Sequence, residues 1–211
     1  MIEKIEFSFW GLSLLEPMAM VTNLLVVSSC IYGYVYVTGP KVTFFRQFFL
    51  FFAFASFFGG LSHLFWNYWG FYGKITPWFF GVAATSFLTY AMFDLFDFRL
   101  RTKRILAAAV VFKSILVLAL AYWNWNFLVV AIDTIASLLL ACGLGSSVLY
   151  IKGINEQAKH ILIGVLFMLP AAVVFLLKVD VHLWLNREDI SHLFIAFGLL
   201  YFVRFGRKLS N

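Results

Sequence analysis

The sequence predicts an all-α integral membrane protein, a bundle of seven transmembrane helices with its N-terminus outside and its C-terminus in the cytoplasm. Three observations predict it. Apolar residues make up 63% of the 211 positions and charged residues only 12%, with 27 phenylalanines, a composition far from that of a soluble domain. Apolar runs of about 17 to 25 residues, the length a helix needs to cross hydrocarbon, recur along the whole chain between short polar breaks. The basic residues are divided unequally between alternate breaks. Helices are favoured over a barrel because the runs are continuously apolar, whereas barrel strands are short and alternate.

The seven spans lie at about 10–36, 44–69, 76–96, 104–123, 126–150, 159–178 and 190–206, with ends uncertain by a few residues. The first follows MIEKIEFSFW, which carries two acids and a lysine and leads to no small-residue cleavage site, so no removable signal peptide is expected. The second contains SFFGGLSHLFWN, and the third is entered through KITPWFFG. The fourth and fifth turn about the short YWNWN connection, Pro170 interrupts the sixth, and the seventh follows NREDISH. Cys30 and Cys142 fall inside spans and read as small packing residues. No internal repeat, linker or low-complexity tract divides the chain, so residues 1–211 form one helical domain.

Orientation follows from the loops. Lys41, Arg46, Arg99, Arg101, Lys103, Arg104, Lys152, Lys159, Arg204, Arg207 and Lys208 lie on one side, and Lys4, Lys74, Lys178 and Arg187 on the other. Cytoplasmic loops are enriched in Lys and Arg, which puts the C-terminus inside. The net charge of +6 forms no continuous basic stripe, so no nucleic-acid partner is expected.

With that orientation the ionisable residues share one outer layer. Glu16 starts span 1, His63 lies toward the end of span 2, and Glu188, Asp189 and His192 start span 7. Residues three, four or seven apart share a helix face. Glu16 and Asn23 are seven apart; Ser56, Gly60, His63 and Asn67 form one stripe; Glu188 and His192 are four apart. Ionisable residues within a membrane normally face a bundle interior or a wet cavity, so such a layer reads as a functional site. Gly59 and Gly60 allow close helix approach there. The plainer readings are a packing histidine at 63, an N-terminal helix acid at Glu16, and a solvated helix start at Glu188 and Asp189. His160 reads as interfacial and His182 as a spare loop ligand. Away from this layer, Lys113 and Asp133 sit at equal depth either side of the YWNWN turn and are expected to form a buried, mainly structural ion pair.

These residues resemble the seven-helix CREST superfamily, which includes alkaline ceramidases, progestin and adiponectin receptors and Per1-type lipid remodelling proteins. Glu16 and Asn23 match its Glu-x6-Asn pattern in EPMAMVTN. GGLSH ends at the position of the second-helix histidine, KITPWFFG has the third-helix spacing, and SHLFIAFGLLYF resembles the last-helix histidine segment. The resemblance implies a zinc ion held by His63 and His192 with Glu188, which stands where the family has a third histidine. Two histidines, a glutamate and a water form a known hydrolytic zinc set. The family serine falls on Gly59 and the third-helix aspartate near Lys74, Ile75 and Thr76, so both are missing, and Glu3 and Glu6 do not reproduce the ceramidase calcium cluster.

The expected function is a zinc-dependent intramembrane hydrolase of a lipid amide or ester. In it Asp189 would transfer a proton or orient a ligand histidine, and Ser62 or Asn67 would polarise the carbonyl. Two alternatives are a catalytically silent lipid-binding or receptor-like protein of the same fold, and a small-solute transporter, against which the lack of a matching half for Pro170 argues. Motifs of soluble phosphate, dinucleotide, HExxH or CxxC chemistry are absent.

Overall fold

The first departure from the expected helices comes before any span. In the computed structural model, which describes residues 5–210, the chain opens with an antiparallel hairpin, β1 (Glu6–Phe9) and β2 (Leu12–Leu15), with Glu6 opposite Leu15 and Phe9 opposite Leu12. Glu3 and Lys4, included in the sequence reading, lie outside the described residues. Trp10 and Gly11 turn the hairpin with φ of 50° and 78°. Two positive φ angles match the right-handed twist of paired strands. The first span therefore begins at Pro17 and not near residue 10.

The remaining chain is helical. Helix α1 (Pro17–Tyr36) leads through a 3-10 turn (Pro40–Val42) to α2 (Thr43–Leu64). The expected second span breaks there into a short α3 (Trp66–Trp69) and a second 3-10 turn (Gly70–Lys74), because Gly70 adopts φ 49° and ψ −136°. Then come α4 (Ile75–Asp94), α5 (Leu100–Asn124) and α6 (Phe127–Ala136), which continues through a π-helical stretch (Ser137–Leu144) into α7 (Gly145–Ile151). Helices α8 (Ala158–Leu176) and α9 (Arg187–Ser210) complete the fold. Among the described residues, six segments are long and apolar enough to cross a membrane: α1, Pro40–Leu64, α5, Phe127–Ile151, α8 and α9. The chain has the make-up of a multi-pass membrane protein.

The helices close into a ring. Helix α1 packs on α2 and α9, α2 on α4, α4 on the α6–α7 segment, that segment on α8, and α8 on α9. Helix α5 lies outside against α4 and α6 and buries only Val110 and Ala121. Helices α1 and α9 run parallel, since Thr22 meets Asp189 near their starts and the Thr38 amide meets Ser210 Oγ at their ends.

Packing fixes which end is polar. Phe45, Phe48, Phe49, Phe202 and Phe205 form a buried aromatic cluster where α2 begins and α9 ends, with Phe45 edge-on to Phe49 and Phe205. Glu16, His63, Glu188, Asp189 and His192 gather at the opposite end. There α1 crosses α2 at Gly60, where a Cβ would lie 2.7 Å from Met20 Sδ and 3.1 Å from Asn23 Cβ. Only a residue without a side chain lets the two helices come this close. Cys30 and Cys142 are buried and unpaired with each other, as packing residues would be. His160, expected at the interface, lies in the first turn of α8 and is buried there.

Candidate functional site

Three segments bring Glu16, His63 and Glu188 together. Glu16 precedes Pro17, a position that normally favours an extended backbone. It adopts φ 48° and ψ 58° instead, and its amide donates to Ile5 O. That strained turn aims the side chain at the last turn of α2, where His63 Nδ1 lies 2.9 Å from Glu16 Oε2. Glu188 reaches the same imidazole from α9, with Oε2 3.1 Å from Nε2. The side chains are 9%, 16% and 26% exposed respectively, so the cluster is sheltered without being sealed.

Lys74 completes it. The helix break after α2 folds the chain back so that Lys74 Nζ lies 3.0 Å from His63 Nε2 and 5.7 Å from the centre of the Trp66 ring. An ammonium can only donate, so Nε2 is the acceptor and Nδ1–H donates to Glu16. The partners thus assign the tautomer. Glu188 Oε2, for all its closeness to Nε2, makes no hydrogen bond among the described residues, because the one lone pair of Nε2 is directed at the lysine.

His192 belongs to an adjoining half-site. One turn beyond Glu188, it points toward α1, with Nδ1 3.0 Å from Thr22 Oγ1 and 3.5 Å from Asn23 Nδ2. Thr22 also lies 3.2 Å from Asp189 Oδ1. The other Asp189 oxygen accepts the Asn186 amide, while Asn186 Oδ1 accepts the amides of Glu188 and Asp189. This reciprocal N-cap ties down the start of α9. Asn186 Nδ2 reaches Glu16 Oε1 at 3.5 Å. A polar chain therefore runs from His63 through Glu16, Asn186, Asp189 and Thr22 to His192.

The ligand set expected from the sequence is not the one that converges. Facing atoms of Glu16, His63 and Glu188 lie within 4.8 Å of one another, so Glu16 stands where His192 was expected. Glu188 meets His63 on α2, whereas one turn further along the same face His192 Nδ1 meets Thr22 and Asn23 on α1. Asn67 leaves its expected stripe because α2 ends at Leu64, and it bonds Ser13 Oγ at 2.6 Å and Glu6 Oε1 at 3.4 Å on the hairpin. Ser62 is fully buried and donates to Gly59 O at 2.7 Å. Neither hydrogen-bonds to the cluster. His182 stays in its loop and accepts the Trp184 amide. Thr22 and Asn186 were missed in the sequence, since a threonine and an asparagine beside stronger candidates give little signal.

In composition, two carboxylates and an imidazole suit a divalent cation, and the orphan Glu188 oxygen is what such an ion would satisfy. The position is the difficulty. A zinc ion must sit about 2.0–2.1 Å from its imidazole nitrogen, and the Lys74 ammonium stands 3.0 Å from Nε2. The residues as arranged do not fit a zinc ion, because lysine holds its place.

A second polar cluster lies between α4, α5 and α6. Lys113 Nζ is 2.7 Å from Asp133 Oδ1, and Thr85 Oγ1 donates to Asp133 Oδ2 at 3.1 Å. Ser137 Oγ, where the π-helical stretch begins, lies 3.4 Å from the ammonium. The pair shares no residue with the first site.

Fold and site together define a multi-pass helical membrane protein with a charged, partly sheltered cluster at one end of a helical ring. The chain belongs to DUF6962, a family of unknown function, which it matches over residues 18–211. No curated protein matches it.

Proposed function

We propose that the protein is a seven-helix membrane protein whose outer polar chamber binds a membrane lipid without a resident metal, a catalytically silent arrangement on a CREST-like layout. The N-terminus is outside, the C-terminus is cytoplasmic, and α4 is the seventh crossing. The parallel course of α1 and α9 supports that count, since an odd number of crossings leaves the first and last helices pointing the same way. The observation that carries the functional reading is Lys74 Nζ at 3.0 Å from His63 Nε2. A cation of the chain's own supplies positive charge beside Glu16 and Glu188, where the resemblance implies zinc. Thr22, Asn23, Asn186 and Asp189 are bonded to one another, to His192 and to backbone and form the wall of the site, so a lipid's polar head would meet the Glu188 side chain, which is 26% exposed, while the apolar helices accommodate its chains.

A second reading is a metal-dependent lipid hydrolase, favoured by the unpaired Glu188 Oε2. If Lys74 withdrew, Glu16, His63 and Glu188 would hold the ion, which would supply an activated water for an amide or ester. Elemental analysis of the purified protein separates the two. The metal-free reading expects well under one zinc per chain in the natural protein after incubation with zinc, and about one per chain in Lys74→Ala. Near-stoichiometric zinc in the natural protein, lost in His63→Ala, would overturn it in favour of the hydrolase.

A further inference from the structure

At the end of the bundle remote from the polar cluster, a cleft of about 400 Å³ on the α1–α9 side is lined by Tyr32, Leu200, Val203, Arg204, Arg207 and Lys208. Arg204, Arg207 and Lys208 are three and four residues apart, so they share one face of α9, and all three are exposed. Arg207 Nη1 donates to Tyr32 Oη at 3.2 Å, and its guanidinium lies 5.8 Å from the centre of the Tyr36 ring. These contacts hold one arginine against α1 without neutralising it. No carboxylate of the described residues forms an ion pair with any of the three cations. Toward the membrane interior the same edge of α9 becomes apolar, through Leu200 and Phe197, which are 46% and 58% exposed.

We infer that this cleft binds the headgroup phosphate of an anionic phospholipid, with an acyl chain along Leu200 and Phe197. Three uncompensated cations at the end of a transmembrane helix pair match a phosphate in charge. Guanidinium forks match its oxygens in geometry, and Tyr32 Oη offers a further donor. The apolar edge rising from the basic group is what distinguishes a lipid site from a site for free phosphate. Helical periodicity puts the headgroup and the tail on one strip of α9. The inference uses no residue of the polar chamber.

Native mass spectrometry tests it on the full chain, released from nanodiscs of phosphatidylcholine containing phosphatidylglycerol. One retained phosphatidylglycerol per chain is expected, in clear preference to phosphatidylcholine. Removing each cation should weaken retention about fivefold, so Arg204→Gln/Arg207→Gln should lose more than tenfold. Arg99→Gln/Arg101→Gln, at the start of α5, which packs on α4 and α6 and not on α9, should bind as the natural protein does. Tyr32→Phe, which keeps the ring, should weaken retention by a few-fold and serves if the double variant fails to fold. His63→Ala should retain the lipid, which separates this site from the chamber. Equal retention of both lipids, undiminished binding by the double variant and by Tyr32→Phe, or binding of inorganic phosphate without lipid preference would each overturn the inference.

Discussion

Asp133→Asn is the sharpest single perturbation. The substitution keeps the shape and an acceptor for Thr85 Oγ1 but removes the charge 2.7 Å from Lys113 Nζ. The ammonium is then left with Ser137 Oγ at 3.4 Å. Removing one partner of a buried pair costs about 3–5 kcal/mol. Asp133 is 5% exposed and Lys113 33%, so the lysine stem can tilt toward the helix end and recover part of the loss. The lower end, about 3 kcal/mol, is the working figure. For a chain of this size each kcal/mol lowers Tm by about 2–4 °C, giving about 6–12 °C. Cys30 and Cys142 are both buried, so a fluorogenic maleimide that reacts only on unfolding reads the transition directly. Lys113→Met on the same background removes the stranded charge and should restore most of the loss, the signature of a coupled pair. A shift under about 2 °C for Asp133→Asn, or a double variant no more stable than the single, would refute the reasoning.

The same thiol assay checks two packing predictions. At the α8–α9 crossing a Cβ on Gly198 would lie 2.5 Å from Met168 Cγ and 2.8 Å from the backbone oxygen of Gly164. Gly198→Ala should therefore cost about 1–3 kcal/mol through overpacking. Gly81→Ala, with nothing within 4 Å, should be neutral or stabilising by about 1 kcal/mol. Asn186→Ala should cost about 1 kcal/mol by uncapping α9, and Asn186→Ser should keep most of it.

Helix existence was legible because apolar run length is set by membrane thickness. Each expected span overlaps a helix, although the first starts at Pro17, the second ends at Leu64, and α4 is not among the six segments long and apolar enough to cross. What the sequence hid was local geometry. The hairpin at Glu6–Leu15 is too short and too apolar to separate from the first span by periodicity, and only Gly11 hinted at a turn. The break at Phe65 is equally silent, because Trp, Phe and Tyr continue the apolar pattern while Gly70 bends the chain. That break decides the site, since it removes Asn67 and delivers Lys74. The π-helical stretch at Ser137–Leu144 leaves no mark in composition. Membership of the outer layer was readable from depth, but the pairing within it was not. Depth places His63 and His192 on one level; it does not show that Glu188 meets α2 while His192 meets α1.

Two residues at which this chain differs from the pattern it resembles meet at one atom. The CREST resemblance would put a histidine at position 188 and an aspartate near position 74. Here Glu188 Oε2 and Lys74 Nζ lie 3.1 and 3.0 Å from the same His63 Nε2. Alone, a glutamate in place of the histidine would add negative charge to a site already holding Glu16. Alone, a lysine would set an ammonium against whatever ion the site held. Together they offset each other in sign at one nitrogen, so the two positions should be coupled: changing only one should be worse than changing both. Lys74→Asp would leave three carboxylates around the His63 imidazole, and Lys74→Asp/Glu188→His would remove one of them. Both variants lack the ammonium and should take up zinc, so the discriminating readout is metal-free thermal stability, which should be higher in the double variant than in Lys74→Asp. If the single and double variants are equally stable, the two positions are independent and the coupling account fails.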